Sequence, residues 1–382
     1  MGSSVLERIH LENFKASRDV SVRLAPLTVL AGLNSSGKST LLQAICALRQ
    51  SYDFNGITEG PSLSGDLVQL GKYGDLLSEG SLGDTVAITI AEGGTNYRWV
   101  IEGPPKADRL RFAEAPPPLP GFVTSFDFQF LQADRIVPRT LYPQASQRAR
   151  DTGFLGPRGE FTADFLSMAA LRQVKVSSAR TFPRTGLGLN EALLLKVAPT
   201  DGIVDQVSGW IQQLSPGARL KAEAIGGTDE VLLQFRFDGR KEETSSNFYR
   251  PTNVGFGLTY SLPIIVACLA AAQGALLLLE NPEAHLHPQG QTALGNLIAR
   301  CASDGVQVVV ETHSDHLLNG VRLAVKENLI SPDDVVFHFF TREVETGDAF
   351  VQSPAVLKNG RLSNWPEGFF DQWDKDVDAL LG

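Results

Sequence analysis

The sequence predicts an α/β fold with a mixed central sheet, a β-rich N-terminal part and an inserted helical region. Three observations lead there. Residues 27–31 (Leu27-Thr28-Val29-Leu30-Ala31) form a continuous apolar run typical of a buried strand. That run ends in a glycine-rich stretch, after which Leu41, Leu42, Ile45 and Leu48 recur at helical spacing. Far along the chain, residues 275–279 and 306–310 are apolar runs with the length and composition of interior parallel strands.

The remaining elements fall around this frame. Apolar and polar residues alternate over 9–14 and 20–24, which predicts two opening strands. Residues 85–91 and 95–101 read as a strand pair turning at Gly93-Gly94. The proline-rich segment 104–120 is expected as a surface loop, and 126–133 as another strand. Then come an amphipathic helix over 204–214, a strand over 231–237, a mostly apolar buried helix over 258–272 and a late strand over 335–340. No internal repeat is visible.

Composition bounds the class. At 382 residues and 43% apolar content, the chain can bury a substantial core as one large or two modest domains. Cys46, Cys268 and Cys301 are widely spaced, without the CxxC pairing of a zinc or redox centre, and read as reduced core residues. No basic segment leads into an apolar stretch at the N-terminus, and the apolar runs are broken by Pro263, Gly274 and Glu280, so a cytoplasmic chain with no membrane span is expected. A net charge of -9 argues against a protein whose whole surface coats nucleic acid, while leaving room for a local basic patch.

Chemistry concentrates at Gly32-Leu33-Asn34-Ser35-Ser36-Gly37-Lys38-Ser39, which fits the P-loop pattern and lies where a strand opens into a helix. The glycines let backbone N–H groups turn toward phosphates, Lys38 is expected to reach the β- and γ-phosphates of ATP, and the Ser39 hydroxyl to ligate Mg²⁺. Thr40 is expected beside the α-phosphate. Residues 276–283 deliver acids at the end of an apolar strand, which makes Glu280 the expected metal-side carboxylate.

Asn13-Phe14-Lys15, the P-loop, Asn281-Pro282-Glu283-Ala284-His285-Leu286-His287-Pro288 and Glu311-Thr312-His313-Ser314 together resemble the ABC-type heads of the RecF, SMC and overcoming-lysogenization-defect ATPases. The likeness narrows through Ala133-Asp134-Arg135-Ile136-Val137-Pro138-Arg139, Gly156-Pro157-Arg158-Gly159-Glu160 and Asn253-Val254-Gly255-Phe256-Gly257. These resemble AAA-family ATPases with a DUF3696 C-terminus, which are similar to the ATPase subunit of Septu-type antiphage systems. The match extends to Trp365-Pro366-Glu367-Gly368-Phe369-Phe370.

The resemblance implies an ABC-ATPase head in four parts: residues 1–110 with the P-loop, an inserted lid and basic region over 111–250, the second half of the head over 251–345, and a tail over 346–382. It implies that Asn253, Gly255 and Gly257 stand in the place of the ABC signature and close over ATP held by a second copy, in a homodimer or higher even-numbered oligomer. A plain helix N-terminus is the alternative for that segment. His313 corresponds to the switch histidine near the γ-phosphate, and His285 and His287 to a loop crossing toward the second copy. Gln69 matches a Q-loop residue bridging Mg²⁺, or is an ordinary polar loop residue. A metal site formed by His285, His287, His313 and His316 is the rival reading of the histidines.

One departure bears on turnover. The ABC pattern places a catalytic glutamate directly after the magnesium acid, whereas here Glu280 is followed by Asn281. An amide positions water but does not take its proton. Either Glu283 or another group activates water, or hydrolysis is slow and ATP mainly holds a dimer.

Two regions have open readings. The stretch 135–184 holds Arg135, Arg139, Arg148, Arg150, Arg158, Arg172, Lys175, Arg180 and Arg184 against Asp151, Glu160 and Asp164. It is either a groove for DNA, RNA or an acidic partner, or a face neutralised by the protein's own acids. The tail, with Trp365, Phe369, Phe370 and Trp373 among Asp371, Asp374, Asp376 and Asp378, either anchors a partner or packs on its own domain. The expected function is an ATP-dependent switch in prokaryotic defence that acts through a separate nuclease. Its rivals are a RecF-like repair ATPase and a non-hydrolysing ATP-gated scaffold.

Overall fold

The computed structural model describes residues 5–381 apart from 56, 59, 82, 108–109, 184–196, 238–246, 344, 367 and 370–371. In chain order the strands are β1 (Leu6–Phe14), β2 (Ser17–Arg23), β3 (Leu27–Gly32), β4 (Thr85–Glu92), β5 (Thr95–Glu102), β6 (Arg111–Phe112), β7 (Phe128–Leu131), β8 (Leu141–Pro143), β9 (Ala218–Ala224), β10 (Glu230–Phe237), β11 (Leu276–Glu280), β12 (Gln307–Glu311), β13 (Val335–Arg342) and β14 (Ala349–Gln352). The longer helices are α1 (Lys38–Asn55), α2 (Thr162–Leu171), α3 (Ile203–Ile211), α4 (Phe256–Ala270), α5 (Pro288–Ser303), α6 (Asp315–Lys326) and α7 (Gln372–Leu381). The chain divides into two compact units, the first made of residues 1–126, 307–315 and 325–382, the second of 127–306 and 316–324.

In the first unit, β1 pairs antiparallel with β2 and β4, and β4 with β5. The β4–β5 turn is made by Gly93 and Gly94, both at positive φ (58° and 76°), the twist that a two-residue hairpin requires. The segment 104–120, expected as pure loop, contributes β6 to the free edge of β5. Its prolines flank the two-residue strand, which is too short for a periodic signal.

The same unit holds the mixed sheet that the apolar runs predict. β3 lies between β12 and β13 and runs parallel to both, while β14 closes the far edge of β13 antiparallel. Leu27, Val29 and Leu30 of β3 are fully buried, as are Val308 and Val310 of β12. Burial of both faces explains why these strands read as continuous apolar runs rather than alternating ones. α1 leaves the end of β3 through the glycine-rich loop and buries Leu41, Leu42, Ile45 and Leu48. The C-terminal tail packs on this unit: Phe369 is fully buried, edge-on to Phe339 of β13 at 4.8 Å and beside Trp365 at 5.1 Å. Phe370 and Asp371 lie outside the described residues, as do the side chains of Trp373 and Asp374.

In the second unit, β7 and β11 pair in parallel, Leu131 opposite Leu279, so both strands end at the same level. β10 lies between β8 and β9 in a three-stranded antiparallel sheet. β8 and β9 carry no clear sequence signal: one is three residues long, and the other dilutes its alternation with alanines and charges. α4 is apolar on nearly every face and buried from Leu258 to Leu269, with Pro263 inside it. Its last turn is held by Arg180, which donates to the carbonyls of Cys268 and Ala271 and pairs with Asp304 at 2.7 Å. A buried cation at a helix C-terminus satisfies carbonyls that the helix leaves open. All three cysteines are buried free thiols.

Candidate nucleotide site

The loop between β3 and α1 has the backbone its residues predict. Gly32, Ser35 and Gly37 all take positive φ, at 139°, 60° and 99°. Gly32 is irreplaceable for a second reason, since a Cβ there would lie 2.1 Å from the Phe340 carbonyl oxygen of the neighbouring strand. The crest, Leu33 to Ser35, is exposed, whereas Ser36, Lys38 and Thr40 are buried. Ser36 donates its hydroxyl to the Leu33 carbonyl at 2.8 Å, which fixes the curve of the loop. Lys38 folds its ammonium back on the loop, donating to the carbonyls of Gly32 (3.1 Å) and Leu33 (2.7 Å). Those are weak partners for a full charge, and a phosphate is a better one.

The end of β12 stands against this loop. Glu311 pairs with Leu30 in the parallel ladder, so its carboxylate meets the first turn of α1. It accepts a hydrogen bond from the Ser39 hydroxyl at 2.9 Å and lies 4.0 Å from the Lys38 ammonium, with only 5% of its surface exposed. Glu311 lies in a motif visible in the sequence, but only strand pairing shows which glutamate Ser39 faces. Two residues on, the ionisation of His313 is shifted below its ordinary range, first by burial and then by the Lys38 charge, against a hydrogen bond with the Gly32 backbone. A neutral imidazole is thus favoured beside the loop. Lys15, from the turn after β1, donates to Gln43 of α1 at 2.7 Å and is likewise shifted down, chiefly by burial.

In the second unit the end of β11 is clamped. Arg135, fully buried, donates to the main-chain oxygens of Gln132 (3.0 Å), Glu280 (2.8 Å) and Asn281 (2.7 Å), with its guanidinium over the Tyr260 ring. Burial brings Arg135 down to about 10, opposed by the charges of Glu283, Tyr260 and Glu280. The Glu280 carboxylate accepts from the Ala133 amide at 3.0 Å. Asn281 takes φ 42° and has its Oδ1 buried without a hydrogen-bond partner among the described residues, and Glu283 is buried nearby in sequence. Arg135 is therefore a brace for the β11 terminus rather than part of a surface groove.

Before α4, Asn253 ends a short 3₁₀ turn, Gly255 occupies the N-cap position without a side-chain cap, and the helix starts at Phe256. A Cβ on Gly257 would lie 2.6 Å from the His285 carbonyl oxygen, so glycine lets this helix start approach the 281–287 loop. His285, at φ 64°, sets its ring edge-on to Tyr260 at 4.7 Å, and Phe256 is half exposed beside both. His287 caps α5.

Gln69 is exposed in a small hairpin where it bridges Ser64. Gln50 of α1 holds that hairpin through Ser62 and Val68. Of the basic stretch, Arg135 and Arg180 are buried, while Arg150, Arg158 and Lys175 pair with Asp164, Asp134 and Asp201. Arg139 and Arg172 are exposed, and Arg184 lies outside the described residues. Among the described residues no three His, Cys, Asp or Glu side chains gather as a metal cage, and no helix is long and apolar enough to cross a membrane.

A parallel strand delivering this loop, with its lysine and hydroxyl at the start of a helix and a buried acid at the next strand end, defines a P-loop nucleotide-binding protein. Residues 27–319 match the family described as "AAA domain, putative AbiEii toxin, Type IV TA system", and the chain belongs to that family. Residues 330–380 match the protein of unknown function DUF3696. The chain is thus an ATPase of the AAA type. Among solved structures it is similar to an SMC head bound to the C-winged helix domain of ScpA, at 14% identity and a TM-score of 0.53, covering 92% of this chain and 98% of that one. It is also similar to an SMC head domain with an extended coiled coil bound to the C-terminal domain of ScpA, from Pyrococcus furiosus, at 12% identity and a TM-score of 0.51, covering 99% and 100%. These likenesses bear out the predicted head fold. A search of curated proteins finds no match.

Proposed function

We propose that this ATPase binds ATP with Mg²⁺ at the Gly32–Ser39 loop, associates with a second copy through bound nucleotide, and thereby switches a separate effector in prokaryotic defence. The observation that carries the reading is the Lys38–Ser39–Glu311 constellation: a buried ammonium and a hydroxyl poised at a phosphate-binding turn. Its donors fit magnesium, which takes hard oxygen ligands and keeps several waters. Bound ATP-Mg²⁺ supplies the phosphoanhydride and the divalent charge.

Within that reading Lys38 exchanges the Gly32 and Leu33 carbonyls for the β- and γ-phosphates, and Ser39 offers its oxygen to the metal. Glu280 supplies a further carboxylate on the metal side, a role supported by its motif at the end of an apolar strand. His313, favoured neutral, donates or accepts one hydrogen bond near the γ-phosphate. Asn253, Gly255 and Gly257 serve nucleotide held by the second copy; the uncapped helix start supports this. The family's description as a toxin of a type IV toxin–antitoxin system supports a two-component setting. A nuclease as the partner rests on the Septu resemblance.

The test is single-turnover ATP hydrolysis by wild type, Lys38→Ala and Glu283→Gln, with sedimentation in the presence and absence of ATP-Mg²⁺. ATP-dependent doubling of mass, lost in Lys38→Ala, is the expected result. A wild-type chain that neither binds ATP nor changes mass would sink the reading, and a purified chain that cuts DNA alone would sink the separate effector.

A slowly hydrolysing, ATP-gated scaffold is the second reading. It is favoured by Asn281, whose carbonyl is pinned by Arg135 where a base is otherwise expected. Dimerisation without measurable turnover selects it.

A further inference from the structure

We infer that Glu311 is the positioning residue of the metal half of this site: it takes the Ser39 hydroxyl proton in a hydrogen bond and so aims that oxygen's lone pairs at the divalent cation. The inference rests on the proposed ATP-Mg²⁺ reading and deepens it.

A serine hydroxyl has one proton and two lone pairs. To ligate a cation it must turn its oxygen toward the metal and its proton away, and a rotor without an acceptor has no reason to stay in that orientation. Here the acceptor is built in. Glu311 sits at the last position of β12, locked opposite Leu30 by the ladder with β3, and its Oε1 is 2.9 Å from the Ser39 oxygen. The backbone beyond it is held as well: the Thr312 amide donates to the Leu30 carbonyl at 3.0 Å, and the Ser314 amide to the Thr312 hydroxyl at 3.0 Å. The carboxylate therefore cannot follow a moving loop, and the loop is registered against it.

Lys38 stands 4.0 Å from the same oxygen, and both side chains are almost wholly buried. An acid that is an outer partner of a metal ligand fixes the ligand's orientation, and loss of such partners weakens metal binding by about 10–100-fold. Glu311 thus lies one bond behind Ser39 and is distinct from Glu280, the acid that the strand motif singles out.

The test measures binding of a fluorescent ATP analogue in EDTA and in Mg²⁺ for the full chain and for Glu311→Gln, Glu311→Met and Ser39→Ala, each checked for native thermal unfolding. Wild type binds in EDTA and tightens in Mg²⁺. Glu311→Met, similar in size but without an acceptor, keeps its EDTA affinity and loses the Mg²⁺ gain by about 10-fold or more, as Ser39→Ala does. Glu311→Gln keeps an acceptor oxygen and retains most of the gain. A Met variant with the wild-type gain overturns the inference, as does a Gln variant that loses as much as Met, because charge rather than the hydrogen bond would then be at work. Equal loss by the Met variant in EDTA and in Mg²⁺ also overturns it, in favour of a carboxylate that shapes the loop. If Met fails to fold, the Gln variant decides: retention of most of the Mg²⁺ gain is expected, and a loss as large as that of Ser39→Ala overturns the inference. A wild type that binds no nucleotide overturns both this inference and the function on which it rests.

Discussion

The guanidinium of Arg135 donates to the main-chain oxygen of Glu280 at 2.8 Å, tying the loop after β7 to the tip of β11. Since the same group also holds the carbonyls of Gln132 and Asn281, one buried cation sets the position of an acid and of the amide that follows it. Arg135→Ala leaves these carbonyls without their donor, and a loss of about 3–5 kcal/mol is expected in urea unfolding. Arg135→Lys, a point charge without the fork, recovers only part of it. Equal stability of wild type and the Ala variant would show that the clamp contributes nothing.

Gly32→Ala is expected to cost about 3 kcal/mol or to prevent folding, because φ 139° and a Cβ 2.1 Å from the Phe340 oxygen act together. The measure is the thermal midpoint. Lys38→Ala removes the ammonium that is held by the Gly32 and Leu33 carbonyls and stands 4.0 Å from Glu311, and nucleotide affinity, measured by titration, is expected to fall.

Two neighbouring glycines should part ways. Gly257→Ala places a methyl 2.6 Å from the His285 carbonyl oxygen and should cost about 1–3 kcal/mol, with weaker ATP-dependent association. Gly255→Ala meets nothing within 4 Å and should stay within about 0.5 kcal/mol. Sedimentation and urea unfolding of both variants separate folding from association; a stable Gly257→Ala would remove the argument for close approach.

His338 gives a pH dependence with a definite sign. Its Nε2 donates to the Arg23 carbonyl at 2.7 Å, so its Nδ1 accepts from the Ser353 hydroxyl at 2.7 Å, and the ring is held neutral. Burial shifts its ionisation down, helped by the Arg23 charge and opposed by the bond to the Arg23 backbone. The unfolded chain therefore binds a proton before the folded chain does. Stability from this group is complete above about pH 6.5 and falls as the pH drops below it. Urea midpoints between about pH 7.5 and 5 should fall more steeply for wild type than for His338→Gln. Parallel slopes would place the titration elsewhere.

Much of the site is legible in one dimension because its parts are local. Gly32 to Ser39 announce a phosphate loop through residue type and spacing, and the apolar run before them and the helical spacing after them fix its context. The runs ending at Glu280 and Glu311 are legible for the same reason: strands buried on both faces must be apolar throughout, so the first charge marks the strand end. β3, β12, β13 and the hairpin at Gly93-Gly94 follow from such signals.

What only the tertiary structure decided is partnership. Nothing local distinguishes Arg135 from Arg139, yet one is fully buried against three carbonyls and the other is exposed. Composition marked a basic stretch, while folding brought Asp134, Asp201 and Asp304 to Arg158, Lys175 and Arg180 and sank Arg135 and Arg180 into the interior. Likewise Glu311 stands 272 positions from the Ser39 hydroxyl it receives. Periodicity and residue type specify elements and loops, because those depend on neighbours in the chain. Which charge meets which hydroxyl depends on strand order and register, and these are fixed only when the apolar faces close on one another.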